Sequence, residues 1–521
     1  MAKKHGVFIS EESTAVSVPQ ESSTGLQVVV GTAPVNTADD PSSLVNVPVL
    51  ANSAVEAMKT LGYSSDFENY TLCASMYVTN NLYQVSPVVY INVLDPTKHK
   101  KALAQTAVVV EDMQAVVKQT GILKKDLSVS MSLTQDVGAA EDTVEGGGAD
   151  LDALDEEPAA TVPVESVSND GSLVEGTDYT LSFDSDGYLV ITLISSGAGA
   201  SATALIVSGY QLDPEAVTKE DIIGSVDVST GKETGMEVIR QVYPKLGVVP
   251  GILIAPYWSK IAEVGIALMA KAANINGVFK GFAYPDLPTD ANGARKYTDV
   301  KTVKESCGYT SAYCTPCWPC ARIGEIILPY SVVAAARTAY EDAINQDVPS
   351  RSPSNIDLAI TGLCLEDGTE VILDQDQATT VGEFGVMTAV NINGFKMWGN
   401  HTGAYPSSSD AKDIWITVRR MFNWQGNTFI LTYFDEVDDP MNPKLVENVV
   451  DSENIRCAAY APTHWAGASI EYLASDNPQT DILAGKVTFR QHIAPYTPAE
   501  TIENILNYDT GMLQAALGGE S

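Results

Sequence analysis

Basic side chains are scarce in this chain. It has 31 Lys and Arg against 66 Asp and Glu over 521 residues, a formal charge of −35. That balance argues against a nucleic-acid surface, where phosphates need clustered cations, and equally against an anionic membrane surface. Long apolar runs are missing too. None approaches the ~20 residues of a membrane helix; the best, Leu246 to Trp258, contains Pro250 and Pro256 and reads as a buried strand. Lys3 and Lys4 are not followed by the apolar stretch of about 7 or more residues that a secretory leader has, so the chain is read as made and folded in a cytoplasm. No G-x-G-x-x-G, G-x-x-x-x-G-K-[ST], H-E-x-x-H or G-x-S-x-G occurs, which removes the common nucleotide, zinc-protease and hydrolase signatures. No repeat of fixed period is present either.

Cysteine is sparse and odd in number, with seven at 73, 307, 314, 317, 320, 364 and 457. An odd, dispersed set fits reduced thiols rather than a disulfide framework. The one cluster is Cys314-Thr-Pro-Cys317-Trp-Pro-Cys320, with Cys307 upstream. Its two C-x-x-C steps suit zinc or part of an iron–sulfur centre. Ferredoxin spacing would need a further Cys where Gly324 stands, and Pro316 and Pro319 stiffen the chain into an extended form that turns Cys317 away from Cys314 and Cys320. Small buried thiols are the simpler expectation, with no metal and no cofactor. The five histidines (5, 99, 401, 464, 492) are far apart, and His464 has no evident nucleophile or orienting acid beside it. Asp435-Glu-Val-Asp-Asp-Pro440 lacks the calcium-loop spacing and reads as a solvated loop. Arg419-Arg420, placed opposite the apolar stripe of a helix, reads as an ion-pairing element more readily than as a phosphate site.

What is present is an ordinary apolar share, 45%, and a very uneven distribution of charge. From Asp126 to Thr218 there is no Lys, Arg or His in 93 residues, while 18 acids supply about half of the net charge. Within this stretch Glu141 to Glu157, with eight acids and three consecutive glycines, reads as a solvated linker. Alternating runs on either side of Asp184-Ser-Asp-Gly187 signal a β-hairpin, and Ala202 to Tyr210 another strand. Residues 98–235 are therefore expected to form a mostly-β insertion.

On both sides of it the pattern is α/β. Leu26 to Gly31 and Pro87 to Val93 read as buried strands, Ser53-Ala-Val-Glu56 as a capping box opening a helix, and Tyr70 to Tyr83 as a second helix. Beyond the insertion come a buried strand at Gly247–Ala255, a helix capped by Ser259, a strand at Val278–Tyr284 and a helix at Arg295–Glu305. The extended Cys/Pro segment and an alanine-rich helix at Ser331–Ile344 follow. The fold class expected is an α/β core (α+β overall), made of 26–97 and 236–400, with the inserted mostly-β domain and a separate C-terminal domain at 401–521. That last part carries helices over Ile414–Phe422 and Asn442–Tyr460, a strand at Gly485–Ile493, and a tail from about 497 to 521 that suits a helix or a strand equally.

Extended N- and C-terminal arms remain outside any compact plan. Residues 1–25 are polar apart from Val7-Phe8-Ile9, and the tail carries Ile502, Leu506 and Tyr508. Chain ends able to pair as strands are suited to strand exchange between copies, an assembly role.

Taken in order, several segments resemble the tail sheath proteins of contractile bacteriophage tails, a family also used by phage-tail-like bacteriocins. They are His5-Gly-Val-Phe-Ile-Ser, Leu26-Gln-Val-Val-Val-Gly-Thr-Ala33, Pro250-Gly-Ile-Leu-Ile-Ala-Pro256, and Cys317-Trp-Pro319 followed by Gly324. The longest is Asn391-Ile-Asn-Gly-Phe-Lys-Met-Trp-Gly-Asn-His-Thr402, followed by Arg419-Arg-Met421, Lys486-Val-Thr-Phe-Arg490 and Tyr508-Asp509. The resemblance implies a structural, non-enzymatic subunit that polymerises around a tail tube and contracts to drive it through a target envelope. It implies a homo-oligomer of stacked rings, partnered by tube, baseplate and terminator proteins, located in the virion's tail and assembled in the host cytoplasm. It places Phe8 and Ile9 on a donated N-terminal strand and Ile502, Leu506 and Tyr508 on a C-terminal one. Another phage structural or adhesion protein, or an α/β thiol or metal enzyme, is the alternative.

Overall fold

The computed structural model describes residues 22–131, 171–184 and 187–518. Phe8, Ile9, most of the N-terminal arm and the acidic linker Glu141–Glu157 lie outside the described residues. The fold is a mixture of helices and sheets, as the alternating sequence pattern predicts.

At its centre Gln27–Gly31 is buried along its whole length. Three consecutive valines favour the extended backbone, and burial on both faces requires them to be apolar on both. The strand sits in the middle of a five-stranded sheet, ordered Phe282–Ala283, Ile252–Ile254, Gln27–Gly31, Val88–Asn92, Pro48–Ala51. The first four are parallel, with Gln27 opposite both Ile252 and Val88, and Pro48–Ala51 runs antiparallel at the edge. Helices Thr71–Val78, Ala262–Ala273 and Tyr330–Ile344 pack on the central strands. Ser53 Oγ accepts from the Glu56 amide at 3.1 Å and opens the helix Ala54–Leu61, as the capping box predicts, although Glu56 reaches back to the Asn52 amide.

The Cys/Pro segment is extended and buried. It continues the pairing beyond Phe282–Ala283: the Ala283 amide donates to Tyr313 O, the Thr315 amide to Ala283 O and the Cys317 amide to Pro285 O. On its other side the Met387 amide donates to Pro316 O and the Trp318 amide to Met387 O. This leads into the hairpin Thr388–Asn391/Phe395–Trp398.

Residues 100–131 and 179–212 form two three-stranded antiparallel sheets, Lys100–Val109/Ala204–Leu212/Ser128–Met131 and Gln114–Val117/Leu189–Leu193/Tyr179–Phe183. Their buried side chains, among them Leu103, Val117, Leu189, Ile191 and Val207, make a cluster separate from the main one. The predicted hairpin is present, with Phe183 opposite Leu189. Farther on, Val217, Ile222, Met236, Val238 and Val242 join the main cluster, so the chain returns to the α/β body before residue 235.

The remaining part carries helices Ile416–Tyr433 and Pro443–Tyr460 and the antiparallel pair Trp465–Glu471/Arg490–Pro495. Several boundaries differ from the sequence reading. Ser259 does not cap a helix; the helix begins at Ala262 because the Ser259 side chain is drawn onto the buried Asp286. The strand expected from Val278 starts at Phe282, since Ile275–Phe279 closes a turn. The helix expected from Arg295 begins at Val300, and the last strand begins at Arg490 rather than Gly485. In the tail, the helix is Thr510–Leu517, capped by Asp509, while 496–509 is neither helix nor strand.

Candidate assembly surfaces

Two structural devices fix the roots of the chain's two ends. At the first, Arg420 Nη1 donates to Asp342 Oδ1 at 3.0 Å and its Nη2 to Thr24 O at 3.2 Å, while the Thr24 hydroxyl donates to Asp342 Oδ2 at 3.1 Å. The Ser22 amide donates to Thr428 Oγ1 at 3.3 Å. The segment leaving toward the N-terminus is thus clamped between helices Tyr330–Ile344 and Ile416–Tyr433. Arg419 and Arg420 were expected opposite the apolar stripe; both are buried instead. Helix Ile416–Tyr433 is enclosed on most sides, so its polar residues must be paired internally, and Arg419 meets Asp413 and the Tyr313 hydroxyl, each at 3.0 Å. The ion-pair reading of these arginines therefore fits their geometry.

At the second, Glu453 is fully buried and accepts from Arg456 Nε and Nη2, from Gln425 Nε2 at 2.6 Å and from Gln491 Nε2 at 2.8 Å. Gln491 belongs to strand Arg490–Pro495, so this network rivets the last strand to both long helices. The chain then leaves the body. Ile502 is 87% exposed, Leu506 87% and Tyr508 78%, and Ile505, Met512, Leu513 and Leu517 are exposed as well. The three predicted tail residues are not brought together with one another or with any core.

Among the described residues, this departing arm meets the body through one charged contact, between Glu500 and His401. Residues Pro498–Ile502 form one wall of a cleft of about 650 Å³ whose other walls include Ser352, Asn355, Gln375, Asn400 and His401. His401 is buried, stacked on Tyr405 at 3.8 Å between ring centroids and packed against Trp415 at 4.6 Å. Its Nδ1 lies 3.4 Å from Gly382 O and its Nε2 faces Glu500 Oε2 at 3.7 Å. Burial holds the His401 pKa below its ordinary value, against the opposing pull of Glu500.

The residues singled out for chemistry are dispersed. Cys314 is buried with Sγ 3.0 Å from Met269 Sδ, and burial pushes its pKa up to about 12. Burial raises the Cys317 pKa well above its ordinary value too. A thiol held protonated is a poor nucleophile and a poor metal ligand. Among the described residues no three His, Cys, Asp or Glu side chains gather as a metal ion would need. His464 Nδ1 lies 2.8 Å from Ser350 Oγ, which also accepts from Asn345 Nδ2 at 3.0 Å; this ties a loop to a helix end. Asp435, Asp438 and Asp439 are exposed and Glu436 is half-buried. No helix among the described residues is long and apolar enough to cross a membrane.

Sequence reasoning missed three features. The Glu453–Arg456 pair had a signal in its i, i+3 spacing, whereas Gln425 and Gln491 gave none. Asp286, buried and bonded by Ser259 and Ser331, follows an ordinary Tyr-Pro and carries no pattern. His401 lies within the longest motif of the resemblance, but its partner Glu500 is about a hundred residues away.

No family model matches the chain. Among proteins of known role, it is 26% identical to the tail sheath protein of Burkholderia phage BcepMu over 467 residues, covering 86% of this chain and 85% of that protein. It is 23% identical to the major tail sheath protein of Serratia phage KSP20, covering 64% of this chain and 83% of that one. It is 24% identical to the tail sheath protein of Escherichia phage P2, covering 56% and 70%. In fold it resembles the contracted helical sheath of the anti-feeding prophage, with a TM-score of 0.53 at 13% identity, over 98% of this chain and all of that one. These likenesses bear out the resemblance that the motifs carry.

Proposed function

We infer that this chain is a structural subunit of a contractile tail sheath, which polymerises around a tail tube and shortens to drive the tube through a target cell envelope. The observation that carries the reading is the match to the BcepMu tail sheath protein along 86% of the chain. The arm beyond Pro495 supports it: seven large apolar side chains stand exposed there, Ile502, Ile505, Leu506, Tyr508, Met512, Leu513 and Leu517, and residues 496–509 pair with no strand of this chain. Exposed apolar side chains on backbone that belongs to no sheet of its own chain suit donation to another copy's sheet. The role is mechanical rather than enzymatic.

On this reading the two arms link copies into stacked rings, with Phe8 and Ile9 on one and Ile502, Leu506 and Tyr508 on the other. The acidic insertion faces outward and ends near Leu212. The tube, baseplate and terminator proteins are its partners, and neither nucleic acid nor membrane is. The protein belongs to the virion's tail and assembles in the host cytoplasm. Strand donation lets subunits rotate while staying tethered, which a sheath with two packings requires.

Deletion of 497–521 tests this. The full chain should form hollow, striated tubes by negative-stain electron microscopy, and the truncated chain should stay a folded monomer. Stable small oligomers of the full chain at high concentration, or normal tubes from the truncated one, would overturn it.

A further inference from the structure

The cleft around His401 has a feature that strand donation does not explain. Glu500 sits at the root of the exposed arm and points at an imidazole that is otherwise enclosed. The carbonyl of Gly382 can only accept, so a ring nitrogen 3.4 Å from it engages as Nδ1–H. In a neutral imidazole that leaves Nε2 as a bare lone pair, facing a carboxylate at 3.7 Å. Lone pair against carboxylate is repulsive. The contact becomes attractive only when Nε2 also carries a proton.

We propose that this cleft is a docking site for the chain's own Pro498–Ile502 segment, closed by a charge-assisted bond between protonated His401 and Glu500, and that it parks the C-terminal arm on its own subunit. That the parked segment is an assembly arm rests on the sheath reading above; the docking itself does not.

The surroundings set when the latch closes. Tyr405 and Trp415 enclose the ring and hold its plane, so Nε2 cannot turn elsewhere. Burial disfavours the charged ring, and so does Lys304, whose Nζ is held by Phe384 O at 2.6 Å and Tyr405 O at 2.8 Å. Glu500 on the arm and Glu383 on helix Gln375–Glu383 favour it, as does the Gly382 carbonyl. Because burial is the largest of these influences, the latch is weak at neutral pH and closes on acidification. The rest of the arm has nothing to hold it: every residue from Glu500 through Gly518 is exposed. Release at Glu500 therefore frees the whole donated segment. A parked arm occupies the subunit's own cleft and delays pairing with a neighbour, and neutral conditions lift that delay.

The test uses the unassembled full-length subunit labelled at histidine carbon, with the His401 signal identified by H401Q. Glu500→Gln keeps the shape of the side chain and removes its charge. It should lower the His401 titration midpoint by about half a pH unit or more. In parallel, chymotryptic cleavage after Tyr496, normalised to a free peptide of residues 490–510, should slow several-fold in the wild type between pH 7.5 and 5.5. In E500Q it should stay constant. A His401 midpoint unmoved by E500Q, or arm cleavage with no pH dependence beyond the peptide's, would overturn the latch. Both readouts are taken on unassembled protein, so they stand whether or not the chain forms tubes. Failure of the sheath reading is scored separately, by the absence of tubes.

Discussion

Replacing Arg420 by Met should destabilise the body of the protein far more than its size change suggests. Arg420 and Asp342 have side chains only 3% exposed. The guanidinium donates to both Asp342 oxygens and to Thr24 O. In R420M the carboxylate keeps the Thr24 hydroxyl but loses every charged partner, and Thr24 O loses a donor. Removing one member of a buried pair costs about 3–5 kcal/mol, because the survivor is left buried and uncompensated. That is a large share of the roughly 5–15 kcal/mol that holds a typical domain together. The double variant R420M/D342L removes both charges and should recover most of the loss, since two apolar side chains of similar bulk make no such demand. Urea unfolding followed by tryptophan fluorescence suits the purpose, because Trp424 is fully buried one turn from Arg420. Hydrogen exchange at Ser22 to Leu26 should rise in R420M, as that segment loses its clamp. A loss below about 1 kcal/mol, or a double variant no better than the single one, would refute the reasoning.

Other outcomes follow from the same structure. Burial pushes the Asp286 pKa up to about 6, so the folded chain keeps a proton that the unfolded chain, near 3.9, has released. The contribution of this group is therefore full below about pH 4 and falls as pH rises to about 6; D286N abolishes that fall, and its stability relative to wild type should grow by about 3 kcal/mol between pH 4 and 7 in parallel denaturation curves. Ile191→Ala should cost about 2–5 kcal/mol within the insertion alone, because Ile191 packs in a cluster of its own. Limited proteolysis should then cut between residues 98 and 213 while the α/β body stays resistant, and a matching loss in the body would show the two cores to be one.

The parts of the fold that were legible in sequence are those whose code is local. Val28-Val29-Val30 needs no partner to declare a strand, and Ser53 with Glu56 declares a helix start from four residues. The β-hairpin announces itself because the turn residues and the alternation on each side agree. Where tertiary demand overrides the local code, boundaries moved. Ser259 is a good capping residue by type, but Asp286 is buried without a cation and recruits it, along with Ser331, to satisfy its oxygens. Helix Ile416–Tyr433 was misjudged in a similar way. Arg419 and Arg420 look like solvent-facing charges on an amphipathic helix, yet Asp413 and Asp342 meet them inside, and nothing in the helix's own sequence reveals those partners.

The tail is the opposite case, and its ambiguity has a physical cause. A segment that folds into a partner carries apolar side chains chosen for a surface absent from its own chain, so neither helical nor strand periodicity is completed by the residues around it. Ile502, Leu506 and Tyr508 are spaced for either reading, and all three remain in solvent here. Only Thr510–Leu517, where Asp509 Oδ1 accepts from the Gly511 and Met512 amides, has enough local support to fold without help. The helix and strand readings of the tail are thus not rivals, since they belong to successive stretches. The helix is closed by its own cap, whereas the stretch before it pairs with no strand of this chain and leaves most of its backbone donors and acceptors to be satisfied elsewhere. A short capped helix beyond an unsatisfied strand lets the tip keep its structure while the strand changes partners, which is what an arm must do if it leaves its own subunit for another.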